Sequence, residues 1–421
     1  MTKDLLGSII LASQSVGTPF WLYDASIIRR QIRQLKSFDL IRFAQKACSN
    51  IHILSLMREE GVLIDAVSLG EVERALSAGY RVEGPHSPIV FTADLIDAVT
   101  LGRLAELQIP VNAGSPQMLE QLGAVSPGHK VWLRVNPGFG HGHTRKTNTG
   151  GEHSKHGIWH TEIRNSMELI RRHGLKLVGL HMHIGSGADY EHLARVCDAM
   201  VKEVKELGAD IEAISSGGGL SIPYAEHERE IDPEHYFQLW HSARQEIEQF
   251  LGHPVSLEIE PGRYLAAQAG MLVAEVRAYK TMGQNFFVLV DAGFNDLMRP
   301  AMYGASHRVS VVSPTGQLKC EGLRPTVIAG PLCESGDVFT QKEGGEVISY
   351  LLPEVEVGDL LIFHDCGAYG ASMSSNYNTR PLLPEVLKDG EQLKVIRHRQ
   401  TYADLLKLEL EAGQLLPALL T

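Results

Sequence analysis

The chain has 421 residues, 44% hydrophobic and 21% charged, enough for two domains with cores of their own. A formal net charge of -11 and a pI of about 5.9 argue against a nucleic acid or another polyanion as partner. The start, MTKDLLGSIILAS, has too short an apolar stretch for a signal peptide or a membrane span, and the five cysteines, odd in number and without CxxC pairs, read as thiols of a reducing cytoplasm.

In chain order, 18–23 (TPFWLY) reads as a strand and 26–35 as a helix. Eight short apolar runs follow: 41–47 (IRFAQKA), 63–70 (LIDAVSLG), 89–93 (IVFTA), 109–114 (IPVNAG), 130–138 (KVWLRVNPG), 177–185 (LVGLHMHIG), 213–220 (AISSGGGL) and 257–263 (LEIEPGR). Nearly all stop at reactive or glycine-rich residues, and stretches with helical spacing, among them 69–78, 190–207 and 236–251, lie between them. Strand alternating with helix predicts a parallel sheet, and eight units with chemistry at their carboxyl ends favour a (β/α)8 TIM barrel over an open doubly wound sheet. After about Gly270 the helical period gives way to apolar runs separated by turns, such as 271–279, 286–290, 308–312, 326–329 and 360–364. We therefore expect a barrel over 25–270 and a second, mostly antiparallel β-barrel domain over 271–421, completed by 1–24.

Lys46 comes near the end of the first run, where an amine would project from the barrel mouth. A lysine in an apolar strand is paired, depressed in pKa or used covalently; the alternatives are a snorkelling side chain and the Schiff-base amine of a pyridoxal phosphate enzyme. The latter needs a phosphate cradle, and Gly217-Gly218-Gly219 follows the seventh run, where such barrels hold phosphate; Ser186 would add a hydroxyl. It also needs an acid at the ring nitrogen. Glu260 ends the eighth run, next to the first once the barrel closes; Glu258 leaves the same side of the strand, so one of the two can be a paired structural acid, and we take Glu260 as the ring partner because Pro261-Gly262 ends the strand directly after it. His181 and His183 leave one face of the sixth run; a metal pair lacks a recognisable third ligand, so we read His183 as lying flat on the cofactor ring and His181 as a satisfied core residue. The loop 141–156 (HGHTRKTNTGGEHSKH) reads as a mobile cover over the mouth.

FAQKACSN, DAVSLGE, LRVNPG, HMHIGSG, SSGGGL, EPGR, DAGFNDLMRPAMYGA, GPLCESGD and GAYGASMSSNYN, in this order over almost the whole chain, resemble the fold-type III pyridoxal phosphate decarboxylases, and within them the branch acting on diaminopimelate. The resemblance implies Lys46 as the aldehyde-binding lysine, Glu260 as partner of the pyridine nitrogen, and His183 stacked on the ring, with Asp65 and Arg134 as polar groups nearby. Ser186, Gly217, Gly218 and Gly219 would hold the phosphate, aided by Glu260, Pro261, Gly262, Arg263 and Tyr369. Cys333 would return a proton to the reacting carbon, and Arg263, Arg299, Tyr303, Glu334 and Tyr369 would bind the amino-acid substrate. The product would be L-lysine, formed in a homodimer in which the Cys333 loop reaches the neighbouring subunit's active site.

An unreacting end that is itself an amino acid wants forked arginine contacts to its carboxylate, which Arg263 and Arg299 can make, and an acid such as Glu334 for its ammonium. The rivals are decarboxylation of ornithine, arginine or D-lysine, racemisation, and a non-catalytic relative. Glu260 argues against a racemase, whose arginine at the ring nitrogen weakens the electron sink, and the retained Lys46, Cys333 and second domain argue against a non-catalytic relative. Cys333 as an inert buried thiol is the bland alternative.

Overall fold

Each of the eight apolar runs contains a parallel strand. In a computed structural model describing all residues except 83–86, 141–148, 184–188, 226–227 and 414–421, the ladders follow chain order. They run from Leu40–Ala44 through Leu63–Ala66, Ile89–Ala93, Val111–Ala113, Lys130–Asn136, Lys176–His181 and Ala213–Ser215 to Ser256–Ile259. Ser256–Ile259 then pairs with Leu40–Ala44, Glu258 beside Leu40 and Ile259 beside Ile41, so the sheet closes and the open alternative falls.

The connecting segments begin helices by a repeated device. Ser68, Asp97, Ser115, Asp189 and Asp232 each accept a first-turn backbone N–H, starting helices Leu69–Ser77, Ala98–Leu107, Pro116–Val125, Tyr190–Leu207 and Pro233–Leu251. Each cap satisfies an otherwise orphaned donor and contributes about 1 kcal/mol. In two of these helices a proline fills the first position, where no N–H is needed. Helix Ala25–Arg33 precedes the first barrel strand and is tied to the segment after the last one by Gln31, whose Nε2 donates to the carbonyl of Tyr264 and to Gln268.

Most runs overshoot their strands at the carboxyl end. The first strand stops at Ala44, and Lys46 lies beyond it in the 3-10 turn Gln45–Ala47, corrected from a position within the strand. The cause is local: the Cys48 N–H bonds back to the Gln45 carbonyl, and the Gln45 amide donates to the carbonyl of Glu71, turning the chain out of the ladder.

By contacts the chain divides into two units: Ala25–Ala269 with Gly367–Ser372, and Met1–Asp24 with Gly270–Cys366 and Met373–Thr421. In the second unit Phe20–Asp24 runs antiparallel to Gly270–Met282 and parallel to Glu385–Asp389. Asn285–Val290 and Arg324–Ala329 are also parallel neighbours; the other ladders among its described residues are antiparallel. The apolar start of the chain is helix Lys3–Val16. Its Ile9 and Ala12 enter the core formed by Phe20, Leu22, Met271, Val273, Val312, Leu360, Ile362 and Val386. Among the described residues no helix is long and apolar enough to cross a membrane.

Candidate active site

Register brings the reactive side chains to one level of the barrel. Ala44 pairs with Asp65, Arg134 with His181, and His181 with Ser215, so residues far apart in sequence become neighbours at the strands' carboxyl ends. Lys46, Asp65, Arg134, His183 and Glu260 act electrostatically on one another, which places them in one cluster. Lys46 is exposed rather than buried.

Glu258 and Glu260 share a face of the last strand, yet only Glu258 is committed to an arginine. Glu258 receives both Nε and Nη2 of Arg42, a buried ion pair. Glu260 instead accepts from His181 Nε2 at 2.7 Å and from Ser215 Oγ at 2.8 Å. Burial would raise its pKa, but His181, through its charge and its hydrogen bond, and the Ser215 hydroxyl prevail and hold it at about 2. Among the described residues His181 is thus engaged through one nitrogen only: its Nδ1 is buried without a hydrogen-bond partner there, a correction to its reading as a satisfied core residue. Asp65 goes the other way. Burial first and the Glu260 charge second raise it to about 8, against a hydrogen bond from Thr92 and the charge of Lys46.

His183 Nδ1 accepts the N–H of Gly218 at 2.9 Å, which fixes its ring and places the proton of the neutral ring on Nε2. Burial and the charges of Lys46 and Arg134 hold its pKa well below the usual range. The glycine triplet is accordingly not three free donors. Gly217 N–H bonds to Ser215 Oγ and Gly218 N–H to His183, which leaves the N–H of Gly219 without a protein acceptor among the described residues. Glycine is required sterically: a Cβ on Gly218 would lie 2.5 Å from the Glu260 carbonyl oxygen, and one on Gly217 would lie 2.6 Å from that of Met182.

Pro261 offers its carbonyl to the N–H of Ala44, and Gly262 packs against Ala44 and Ala47. Arg263 donates to the Tyr224 hydroxyl at 2.8 Å, and its guanidinium lies 5.2 Å from the ring centre of Tyr369. Tyr369, expected with the second domain, groups with the barrel because its N–H bonds to the carbonyl of Ala47 beside Lys46. Ser186 lies outside the described residues, as does 141–148 of the expected cover loop. The rest of that loop is anchored: Gly151 N–H and His156 carbonyl bond to Asn136, Thr149 Oγ1 to the carbonyl of His183, and His156 Nδ1 to Asp94.

In the second unit, Arg299 is buried at the start of helix Arg299–Tyr303, with Tyr303 half-buried. Cys333 and Glu334 are exposed, which removes the inert buried thiol as a reading. Their loop is held by Asp337, whose carboxylate accepts from Phe294 N–H and Leu332 N–H, and by Asn378, which accepts from Cys333 N–H. Asp94, which holds His156, and Tyr224, which meets Arg263, escaped the sequence reading. Asp94 follows the third run directly, and a rule that every polar residue at a strand's end is a candidate would have found it; Tyr224 carries no local signal.

The arrangement suits pyridoxal phosphate. Among the described residues a buried Asp65 oxygen and His181 Nδ1 lack partners, the Glu260 carboxylate is held by His181 and Ser215, and the backbone around Gly218 has no room for a side chain. The chain belongs to the pyridoxal-dependent decarboxylases: residues 24–267 match that family's pyridoxal-binding domain. Along nearly its full length it is similar to diaminopimelate decarboxylases. It is 66% identical to that of Streptomyces coelicolor over 96% of this chain and 91% of the relative. A crystal structure of a diaminopimelate decarboxylase superimposes with a TM-score of 0.95 at 63% identity, covering 97% and 98% of the two chains. The Helicobacter pylori enzyme complexed with L-lysine gives 0.84 at 32% identity, covering 94% and 98%.

Proposed function

We propose that this chain decarboxylates meso-2,6-diaminopimelate to L-lysine and CO2, the last step of lysine biosynthesis, with pyridoxal 5′-phosphate as cofactor. The observation that carries this reading is the Lys46 amine at the barrel mouth, in one cluster with a Glu260 carboxylate kept ionised by His181 and Ser215. Bound there, the cofactor supplies a protonated pyridine ring as the sink for the electrons that a departing CO2 leaves behind. Lys46 provides the amine for the cofactor aldehyde, and Glu260 keeps the proton on the ring nitrogen. His183, neutral and fixed by Gly218, offers a flat face without adding charge. Gly219 N–H, Ser186, and the Pro261–Arg263 turn with Tyr369 form the phosphate end. Asp65 and Arg134 set the field around the ring.

Substrate binding falls to Arg263, Arg299, Tyr303, Tyr369 and Glu334, with Arg299 directed to the distal carboxylate. Cys333 returns the proton to the carbon that has lost CO2. Its exposure on a braced loop supports a homodimer in which it serves the neighbouring subunit's site. The deciding experiment is CO2 release from meso-diaminopimelate, L-lysine, ornithine and arginine. Turnover of diaminopimelate alone is expected, and faster release from any of the other three would overturn the assignment.

A further inference from the structure

Arg299 Nη1 lies 3.1 Å from Nε2 of His307, and both residues are buried. A guanidinium only donates, so His307 Nε2 is the acceptor. The other nitrogen, Nδ1, lies 2.9 Å from the carbonyl oxygen of His364, which only accepts. One state satisfies both contacts: a neutral ring carrying its proton on Nδ1. The surroundings favour it. Cys366, whose sulfur is 3.4 Å from Nδ1, has a thiol that burial pushes far above its usual range, so it brings no anion to the ring. His364 is held at about 4 by burial and the charge of Arg308, and its Nε2 meets Ser310 Oγ at 2.8 Å. Arg308 in turn pairs with Asp365 at 3.2 Å.

The anchor beneath His307 is firm. The N–H of His364 bonds to the carbonyl of Arg308, that of Cys366 to the carbonyl of Gly270, and the Cys366 thiol meets the His364 carbonyl at 3.1 Å. Asp365 between them takes a φ of 58°, a conformation a non-glycine residue keeps only where its neighbours enforce it.

We propose that His307 is a positioning residue that fixes the fork of Arg299 for a carboxylate, and so sets the preference for a substrate whose unreacting end carries one. An arginine already held in one rotamer gives up less freedom on meeting its ligand, and its planar fork is useful only when aimed. The proposal rests on the reading of Arg299 as partner of the distal carboxylate.

Two competitive inhibitors separate the possibilities in the holoenzyme: L-lysine, which keeps the distal carboxylate, and cadaverine, which lacks it. In His307→Leu, the KM for diaminopimelate and the Ki for L-lysine should rise about ten-fold, the order expected for one hydrogen bond to a charged group. kcat, cadaverine inhibition and cofactor affinity should stay within about two-fold of the parent. His307→Gln, whose amide can accept from Arg299 and donate to His364, should recover most of the loss. If Leu prevents folding, His307→Asn, too short to reach both partners, reads the same ratio of inhibition constants. Equal weakening of both inhibitors, or no change in either while Arg299→Ala weakens L-lysine alone, overturns the role of His307. If Arg299→Ala itself weakens both equally, it is the carboxylate reading that fails.

Discussion

Asp65 and Glu260 are buried carboxylates within each other's field, and the protein keeps them in opposite states. Two partners make Glu260 a stable anion, whereas Asp65, with one oxygen unpartnered among the described residues, holds its proton up to about pH 8. The consequence for stability has a definite sign. A raised folded pKa means that the unfolded chain releases this proton first, so the cofactor-free protein loses stability as pH climbs from the ordinary carboxylate range toward 8. Asp65→Asn should therefore melt higher than the parent apo-protein at pH 8, and the gap should close below about pH 4. Thermal melts across that range check it; a gap that does not change with pH would rule out titration of Asp65 as the cause. The sequence placed Glu258 and Glu260 on one face, but only the arrival of Arg42, 216 residues away, shows which is neutralised.

At the scale of elements, the loop after the seventh strand is docked on the end of the eighth with almost no clearance. Glu260 N–H bonds to the Gly217 carbonyl, and the Gly218 Cα faces the Glu260 carbonyl. Gly218→Ala should cost about 1–3 kcal/mol, the usual range for overpacking, and weaken cofactor binding by displacing the N–H that orients His183. Chemical denaturation and a cofactor titration measure the two effects; an unchanged cofactor affinity would separate the loop from the site. The strands were legible because eight apolar runs bounded by breakers survive any uncertainty about ends. Their carboxyl limits were not. SSGGGL and FAQKACSN continue in sequence without interruption, while the strands stop at Ser215 and Ala44. Helix Lys3–Val16 was read only as too short for a membrane span, because an amphipathic stretch becomes informative only with the sheet that covers it.

For the whole molecule, the proposed homodimer makes a prediction that no single subunit can satisfy. Lys46→Ala should abolish turnover, and Cys333→Ala should lower it about 10²–10⁴-fold, the range for removing a general acid. If the thiol serves the neighbouring site, co-expressed subunits bearing one substitution each form heterodimers with one intact site. Random pairing then restores about a quarter of parental activity. Activity no higher than in the separate variants would place Lys46 and Cys333 of one site on the same subunit.

What the amino-acid order determined by itself is what depends on neighbours in the chain: strand and helix period, capping residues, and the reactive residues that end the runs. Tertiary structure decided the partners. That His181 and Ser215 hold Glu260, that Gly218 orients His183, and that His307 braces Arg299 all depend on which atoms come within about 3 Å, a range set by barrel register and sheet pairing. Charge state and hydrogen bonding follow from those distances, and no local pattern encodes a distance between segments that meet only when the sheet closes.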